Sequence, residues 1–215
     1  MAEKMRPHSF RRPGKIVIGL TGSIAAGKSE AARCLARLGA QAICADSLAA
    51  AQLRAGAPGW KAVKKKFGAR ALSSDGGIDR VFLAEKVFAD DGLRKWLEKT
   101  IHPYVIIEAS ETIRKTKRTI IVFDAPLLFE AGLGDMFDIA VCVHAEEKIR
   151  LARAAARGWT KEEFLRRSRA QSAPEEKAAR ADIVIDNSGP RPRLCGKIET
   201  LYKALNSLNH SHNNR

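Results

Sequence analysis

Residues Gly22-Ser-Ile-Ala-Ala-Gly27-Lys28-Ser29 lie just after the apolar run Ile16–Leu20, and an amphipathic helical pattern starts at Lys28. The stretch matches G-x-x-x-x-G-K-[ST] at every fixed position. Glycines in such a turn let backbone N–H groups point inward at the start of a helix, where they bind phosphate. The sequence therefore predicts a strand, a phosphate-binding loop and a helix in immediate succession.

The motif is the P-loop of nucleotide-binding proteins, and its chemistry assigns roles to single residues. We expect Lys28 to reach the β- and γ-phosphates of ATP and the Ser29 hydroxyl to bind Mg²⁺. The nucleotide contacts are expected from one segment: Gly22, Ser23, Ala25, Ala26, Gly27, Lys28, Ser29 and Glu30. The alternative is an ordinary glycine-containing turn before a helix.

Five short runs are apolar without alternation and rich in β-branched residues, which is typical of strands buried on both faces of a parallel sheet. They are Ile16–Leu20, Ala42–Cys44, Thr119–Phe123, Ile139–Val143 and Ile183–Ile185. The segments between them carry helical patterns, one ending at Gly39 and another starting at Pro103. This alternation predicts an α/β fold of the P-loop NTPase type, with a five-stranded parallel sheet flanked by helices.

Uneven spacing of the predicted strands divides the chain into segments. The second and third strands are separated by far more residues than one crossover needs, and the intervening stretch reads as successive helices. The predicted segments are a basic flexible arm (1–14), a nucleotide-binding core (15–45, 118–145 and 182–205), a helical substrate-binding insertion (46–117), a helical lid (146–181) and a polar, frayed tail (206–215).

The composition restricts the partners of the protein. The formal net charge of +14 over 215 residues calls for anionic partners, either nucleic acid or polyphosphorylated small molecules. No apolar run approaches the roughly 20 residues that cross a bilayer, and the N-terminal segment lacks the apolar stretch of a secretory signal. Four cysteines, Cys34, Cys44, Cys142 and Cys195, are far apart in the sequence. This spacing argues against structural zinc and a disulfide scaffold and fits a reducing cytoplasm.

Two carboxylates follow predicted strands. Ile120–Asp124 has the Walker B form, four apolar residues followed by an aspartate, and such an aspartate faces Mg²⁺ in P-loop proteins. Asp46 comes just after the second strand, at the sheet edge where ligands bind in α/β folds. An ordinary turn or cap is the alternative for Asp124, and a helix N-cap is the alternative for Asp46.

Short motifs along the chain distinguish between classes of P-loop protein. The Asn-Lys-x-Asp motif expected of a G protein is absent from the sequence. Over residues 16–188 the sequence resembles the dephospho-CoA kinase family, whose motifs recur here in order. The matching segments are Ile18–Ile24, Ile43–Asp46, Asp75–Arg80, Glu85–Phe88, Ile101-His-Pro103, Pro126-Leu-Leu-Phe-Glu130 and Ala181–Gly189.

The resemblance implies ATP-dependent phosphorylation of the 3′-hydroxyl of dephospho-CoA, giving CoA and ADP, with Mg²⁺ as the metal. It implies that Asp46 orients the attacking hydroxyl or accepts its proton. It also implies that His102 faces the acceptor, and Arg80 and Lys86 are candidates for pairing with the acceptor's diphosphate. A helix cap or a solvated cation is the alternative for these three. Asn187 is implied to lie near the adenine, although it could equally cap a turn.

Arginines in the predicted lid offer positive charge for the reaction. Arg150, Arg153 and Arg157 are three and four residues apart, so we expect them on one helix face. A solvated face is the usual explanation. In a P-loop kinase, however, such arginines can close over the transferring phosphate and stabilise its charge, and we favour this role for Arg153 and Arg157.

The sequence departs from the family pattern at a few positions. Cys44 replaces the first aspartate of the family's "DAD" motif, so this position should not be essential to the chemistry. Glu30 stands where threonine is usual, and Ala25 and Ala26 stand where glycine and serine are common. Little loss is expected, because Ser29 keeps the hydroxyl and both alanines are small.

We therefore expect a cytoplasmic kinase, a monomer or weak oligomer, whose partners are ATP and dephospho-CoA and include neither nucleic acid nor membrane. One alternative is another small-molecule P-loop kinase that acts on a nucleoside or nucleotide. The other is a non-catalytic nucleotide-binding protein that holds RNA on its basic surface.

Overall fold

The computed structural model describes residues 9–213, apart from the side chains of residues 191, 192 and 210–213. The strands are β1 (Ile16–Gly22), β2 (Gln41–Cys44), β3 (Ile120–Asp124), β4 (Ile139–His144) and β5 (Ile183–Asp186). They form one parallel sheet in the order β2-β3-β1-β4-β5. The five predicted strands and the α/β class are confirmed.

The described helices lie between and after these strands in the chain. They are α1 (Lys28–Arg37), α2 (Ala45–Ala51), α3 (Pro58–Phe67), α4 (Arg80–Ala89), α5 (Asp91–Lys115), α6 (Glu147–Ala155), α7 (Lys161–Arg169), α8 (Pro174–Arg180) and α9 (Arg191–Asn213). The first helix ends just before Leu38 and Gly39, where a glycine with φ 109° stops it as the sequence predicts.

The three central strands, β1, β3 and β4, are buried on both faces, which explains their continuous apolar sequences, whereas the edge strands β2 and β5 are partly exposed. Ile18, Val122 and Val141 have no exposed surface and pack with α1 and α9 in one core cluster. Alternate strand residues point to the other face, where Phe123 packs with Phe10 and Phe137 at centroid distances of 5.4 and 5.5 Å.

The predicted flexible arm, 1–14, packs on the core where it is described. Phe10 is fully buried, and its N–H donates to the Met136 carbonyl at 2.8 Å. The Arg11 Nε donates to the Phe137 carbonyl at 2.8 Å. Residues 1–8 lie outside the described residues. The flexible assignment is therefore wrong from Phe10 onward, because burying one phenylalanine stabilises a segment by about 2–3 kcal/mol.

Two helix boundaries also differ from the prediction. Pro103 lies inside α5 rather than at the start of a helix. Its ring removes one intrahelical hydrogen bond, but Ile101 and Val105 on either side are buried, and such packing can outweigh the loss. The helix α9 continues to Asn213, so residues 206–213 are not a separate frayed tail. Leu205 and Asn209 are buried there, which holds the last turns in place.

The cysteine prediction needs correction as well. Cys34 of α1 and Cys195 of α9 form a disulfide, with Cα atoms 5.8 Å apart. They are 161 residues apart in sequence, but α1 and α9 pack side by side, and sequence spacing does not reveal that contact.

Contacts divide the described chain into two compact units, residues 45–112 and residues 9–44 with 113–213. The first unit has its own buried core, Val63, Ala71, Ile78 and Leu83, against which Trp60 and Trp96 pack. Substrate binding by this unit and a mobile lid at 146–181 stay predictions. No helix in the described part of the chain is both long and apolar enough to span a membrane.

We predict that Leu205→Ala lowers the free energy of unfolding by about 2–4 kcal/mol, because it leaves a cavity in the core. Leu208→Ala is the matched control: Leu208 is 55% exposed on the same helix, so its loss should cost under about 1 kcal/mol. Urea denaturation measures both. Equal, small losses would show that the end of α9 contributes no core packing.

Candidate active site

The loop between β1 and α1 has the backbone that phosphate binding requires. Ala25 has φ 59° and Gly27 has φ 104°, both in the left-handed region that favours glycine. A Cβ on Gly27 would overlap with Nδ2 of Asn187, so this position has no room for a side chain. Gly27 caps α1, whose first N–H groups form a positive helix end suited to an anion.

The P-loop lysine is paired with the Walker B aspartate. The Lys28 ammonium donates a hydrogen bond to Oδ1 of Asp124, and the two side chains are only 13% and 12% exposed. Burying a carboxylate is costly unless a cation lies next to it. The parallel register brings Lys28 next to Asp124, because Leu20, just before the P-loop, pairs with Asp124.

The Ala26 carbonyl in the P-loop is held by two side chains. The Asn187 amide donates to it at 2.8 Å, and the Arg153 guanidinium donates to it at 3.3 Å. Arg153 also donates to the Asn187 carbonyl at 2.8 Å. Asn187 follows β5 and Arg153 lies on α6, so these two elements fix the conformation of the loop.

A cavity of about 210 Å³ opens beside this network. Its lining consists of Gly27, Glu30, Arg33, Arg153, Arg157, Asn187 and Leu194. Three guanidinium groups stand against one carboxylate, that of Glu30, which pairs with Arg33 at 2.7 Å. The excess positive charge suits an anionic ligand.

Of the three arginines predicted to share one helix face, Arg150 and Arg153 lie on α6, but Arg157 does not. Arg150 is 5% exposed, donates to the Ala145 carbonyl at 3.1 Å and lies over the Phe164 ring. The helix α6 ends at Ala155, so the exposed Arg157 lies beyond it, close to the left-handed Gly158. The helix ends two residues before Arg157, earlier than the arginine spacing suggests, and of the three only Arg157 is exposed.

A fully buried lysine supports the segment after β3. The Lys177 ammonium donates to the Pro126 carbonyl at 2.6 Å and pairs with Glu130 at 3.0 Å. The Thr21 hydroxyl donates to the same Pro126 carbonyl at 3.2 Å. Lys177 and Thr21 thus fix the backbone two residues after Asp124.

The Glu130 carboxylate in this cluster is stabilised in its charged form. Burial acts to raise the pKa of Glu130, but hydrogen bonds from the Ser172 N–H and from Lys177 outweigh it, so the pKa lies below its ordinary value. Its contribution to stability is therefore present at neutral pH and is lost as the pH falls through the lowered pKa.

The remaining candidates lie in the unit 45–112. Asp46 is exposed in the first turn of α2, directly after β2. Arg80 and Lys86 are exposed on α4, but a spacing of six residues puts them on different faces. His102 is half-buried in α5. The roles of these residues stay predictions.

Sequence reasoning missed three residues of the site. Arg33 follows Lys28 by five residues on the polar side of an amphipathic helix, a signal that could have identified it. Leu194 and Lys177 offered no local signal. Lys177 in particular lies in a charged segment that predicts solvent exposure, and only long-range packing buries it.

The chain matches one family of known proteins over most of its length. The family model described as dephospho-CoA kinase matches residues 16–192. The chain belongs to the dephospho-CoA kinase family. The matched range nearly coincides with residues 16–188, over which the motifs resemble that family, so the resemblance is confirmed.

Individual relatives agree with this assignment. Dephospho-CoA kinase from Anaeromyxobacter dehalogenans is 41% identical over 193 residues, covering 88% of this chain and 92% of that protein. The crystal structure of TT1252 from Thermus thermophilus has a TM-score of 0.78 at 34% identity, covering 92% of this chain and 98% of that one. Dephospho-CoA kinase from Campylobacter jejuni has a TM-score of 0.68 at 26% identity, covering 90% and 98%.

The dephospho-CoA kinase fold implies Mg²⁺, and the local side chains fit it. The Asp124 carboxylate lies next to Lys28, and Ser29 follows Lys28 in the chain with an exposed position. Carboxylate and hydroxyl oxygens are the hard ligands that Mg²⁺ prefers, together with water and phosphate. Ser29 and Asp124 thus stay the predicted ligands of the ion.

We predict that Lys177→Met lowers the free energy of unfolding by about 3–5 kcal/mol, because it leaves the Glu130 charge and the Pro126 carbonyl without their cation. Lys148→Met is the control. Lys148 pairs with Glu146 at the surface, where such pairs contribute about 0–1 kcal/mol. Chemical denaturation at neutral pH measures both, and an unchanged Lys177→Met protein would contradict the anchoring role.

Proposed function

We propose that this protein transfers the γ-phosphate of ATP to the 3′-hydroxyl of dephospho-CoA, producing CoA and ADP. The observation that carries the proposal is the buried Lys28–Asp124 pair at the mouth of the P-loop, in a chain that matches the dephospho-CoA kinase family over residues 16–192. Family membership supports the acceptor, and the P-loop chemistry supports the donor.

The ATP phosphates would bind the N–H groups of the P-loop at the start of α1. Lys28 would then turn from Asp124 to the β- and γ-phosphates, since phosphate offers it more negative charge than one carboxylate. Mg²⁺, when bound by Ser29 and Asp124, would supply charge neutralisation at the phosphate oxygens. Asp124 would in this way keep a cation beside it in both states, as a buried carboxylate requires.

The cavity beside the Ala26 carbonyl is our proposed site for the adenosine part of ATP. Asn187 and Arg153 hold one wall in place, and the buried Leu194 packs behind the lining. A pocket already formed before binding spares the ligand the cost of ordering it.

Asp46 is our proposed group for the acceptor. It follows β2, whose last residue, Cys44, is in register with Asp124. The 3′-oxygen would form its bond to the γ-phosphorus as the bond from that phosphorus to the β-phosphate oxygen breaks. The hydroxyl proton would pass to the Asp46 carboxylate. Arg80, Lys86 and His102 remain proposed contacts for the rest of dephospho-CoA.

A cytoplasmic location and a monomeric or weakly oligomeric state remain predictions from the sequence. The proposed partners are ATP, dephospho-CoA and Mg²⁺, and no nucleic acid or membrane is needed for the reaction.

The direct test is to incubate the purified protein with Mg-ATP and dephospho-CoA and to identify the product by mass spectrometry. We expect a mass increase of one phosphoryl group on dephospho-CoA, and at least about a hundredfold lower kcat/KM in Lys28→Ala. Phosphorylation of a nucleoside but not of dephospho-CoA would replace the proposal with the alternative small-molecule kinase. Tight, salt-sensitive RNA binding without any phosphoryl transfer would replace it with the non-catalytic alternative.

We predict that Asp46→Asn lowers kcat by about a hundred- to ten-thousandfold while ATP binding stays nearly unchanged, because the amide cannot accept the hydroxyl proton. Asp91→Asn is the control, since Asp91 also lies in the first turn of its helix and is 83% exposed. Steady-state kinetics and melting temperatures separate the roles. Lower thermal stability with an unchanged kcat would make Asp46 a helix cap.

The two lid arginines should differ in what they affect. Arg157→Ala should lower kcat by about ten- to a hundredfold without changing the melting temperature, because the side chain is exposed. Arg153→Ala should also raise the KM for ATP and lower the melting temperature, because the Asn187 carbonyl loses the Arg153 hydrogen bond and the Ala26 carbonyl keeps only the one from the Asn187 amide. The exposed Arg169 of α7 provides the control variant Arg169→Ala. Normal turnover of Arg157→Ala would leave it a solvated surface residue.

A further inference from the structure

The disulfide between α1 and α9 lies beside the proposed nucleotide cavity. Cys34 comes one helical turn after Glu30 on α1, and Cys195 is the neighbour of Leu194 on α9. Glu30 and Leu194 both line the cavity. The bond therefore ties together two helices that both contribute to the cavity lining, and α1 is also the helix that begins at Lys28.

The surroundings of the two sulfurs favour thiol–disulfide chemistry. The Arg37 guanidinium donates to the Cys34 sulfur at 3.2 Å and to the Cys195 sulfur at 3.3 Å. A guanidinium at this distance attracts the negative charge of a thiolate, which is the form that attacks a disulfide. Cys34 is 2% exposed, whereas Cys195 is half-buried, so Cys195 is the sulfur that a small molecule reaches first.

The two other cysteines lack this environment. Cys44 is exposed but unpaired by any sulfur in the described residues, and Cys142 is buried in β4. Burial raises the pKa of the Cys142 thiol to about 11, which keeps it protonated at neutral pH. Disulfide bonds inside cells are typically transient and redox-sensing rather than structural.

We propose that Cys34 and Cys195 form a reversible thiol–disulfide site, oxidised by low-molecular-weight disulfides, that fixes the wall of the nucleotide cavity and strengthens ATP binding. The part of this proposal that concerns ATP rests on the proposed function, whereas the formation of the disulfide does not.

The oxidation proceeds in two exchange steps. The Cys195 thiolate attacks a small disulfide RSSR, forming a mixed disulfide and releasing one RS⁻, which takes up a proton. The Cys34 sulfur, after losing its proton, then attacks the Cys195 sulfur and releases the second RS⁻. Two protein thiols are oxidised and one RSSR is reduced to two RSH, so electrons and protons balance. Excess RSH reverses both steps.

The oxidised form should bind ATP more tightly because the cavity is already complete when the two helices are tied. Pre-organised walls reduce the ordering cost of binding, which corresponds to about three- to tenfold in Kd. The bond also closes a segment of 161 residues in the unfolded chain, so it should raise the melting temperature by about 5 °C or more.

The experiment places the full chain in buffers of reduced and oxidised glutathione at several ratios. Non-reducing peptide mapping by mass spectrometry should find the Cys34–Cys195 linkage in oxidised buffer and two free thiols in reduced buffer. Calorimetric titration with ATP should give a three- to tenfold lower Kd for the oxidised protein. Cys195→Ser and Cys34→Ser should abolish both differences, whereas Cys44→Ser should keep them.

Several outcomes would overturn the proposal. Two alkylatable thiols at Cys34 and Cys195 in fully oxidised buffer would exclude the site. Equal ATP affinity in the two redox states would exclude its coupling to the nucleotide.

Glu30 lies within 4.8 Å of both sulfurs, so the reduced protein is also titrated with Zn²⁺. Stoichiometric zinc binding that blocks disulfide formation would make the cluster a metal site instead. Absence of ATP binding in both states would contradict the proposed function but leave the peptide map interpretable.

Discussion

The charge pair between Lys28 and Asp124 can form only if the strands of the core hold one particular register. Removing a carboxylate and an ammonium from water costs several kcal/mol per ion, and only close pairing recovers it. These two residues are 96 positions apart, so their contact depends on the parallel pairing of β1 with β3. A shift of that register by one residue would turn Asp124 toward the opposite face of the sheet.

The P-loop is held by contacts that satisfy its backbone as well as by its own turn. The Ala26 carbonyl faces inward because Ala25 takes the left-handed conformation, and it accepts hydrogen bonds from Asn187 and Arg153. A buried carbonyl without donors would cost about 1–3 kcal/mol. The same contacts that satisfy this group therefore also position the wall of the cavity, so stability and site geometry depend on the same bonds.

Local sequence patterns were sufficient to predict part of this structure. The P-loop, the Walker B aspartate and the five strands follow from runs of adjacent residues, because strand burial and phosphate binding are encoded over fewer than ten positions. Phe10, Lys177 and the Cys34–Cys195 bond could not be predicted, since each depends on a partner far along the chain. Lys177 shows the limit clearly: its helix is charged, and distant partners, chiefly the Pro126 carbonyl and Glu130, make burial of its ammonium tolerable.

The arginines after β4 show how one basic segment can serve both packing and chemistry. The Arg150 guanidinium donates to a backbone carbonyl and lies over the Phe164 ring, so its charge contributes to packing of the core. Arg153 donates to the Ala26, Asn187 and Gly189 carbonyls at the cavity wall, so moving it breaks these hydrogen bonds. Arg157 lies past the end of α6, at the exposed rim of the cavity. A side chain that stabilises a transferring phosphate must approach it without breaking the contacts that hold the pocket. The position of Arg157 therefore suits this role better than the positions of Arg150 and Arg153.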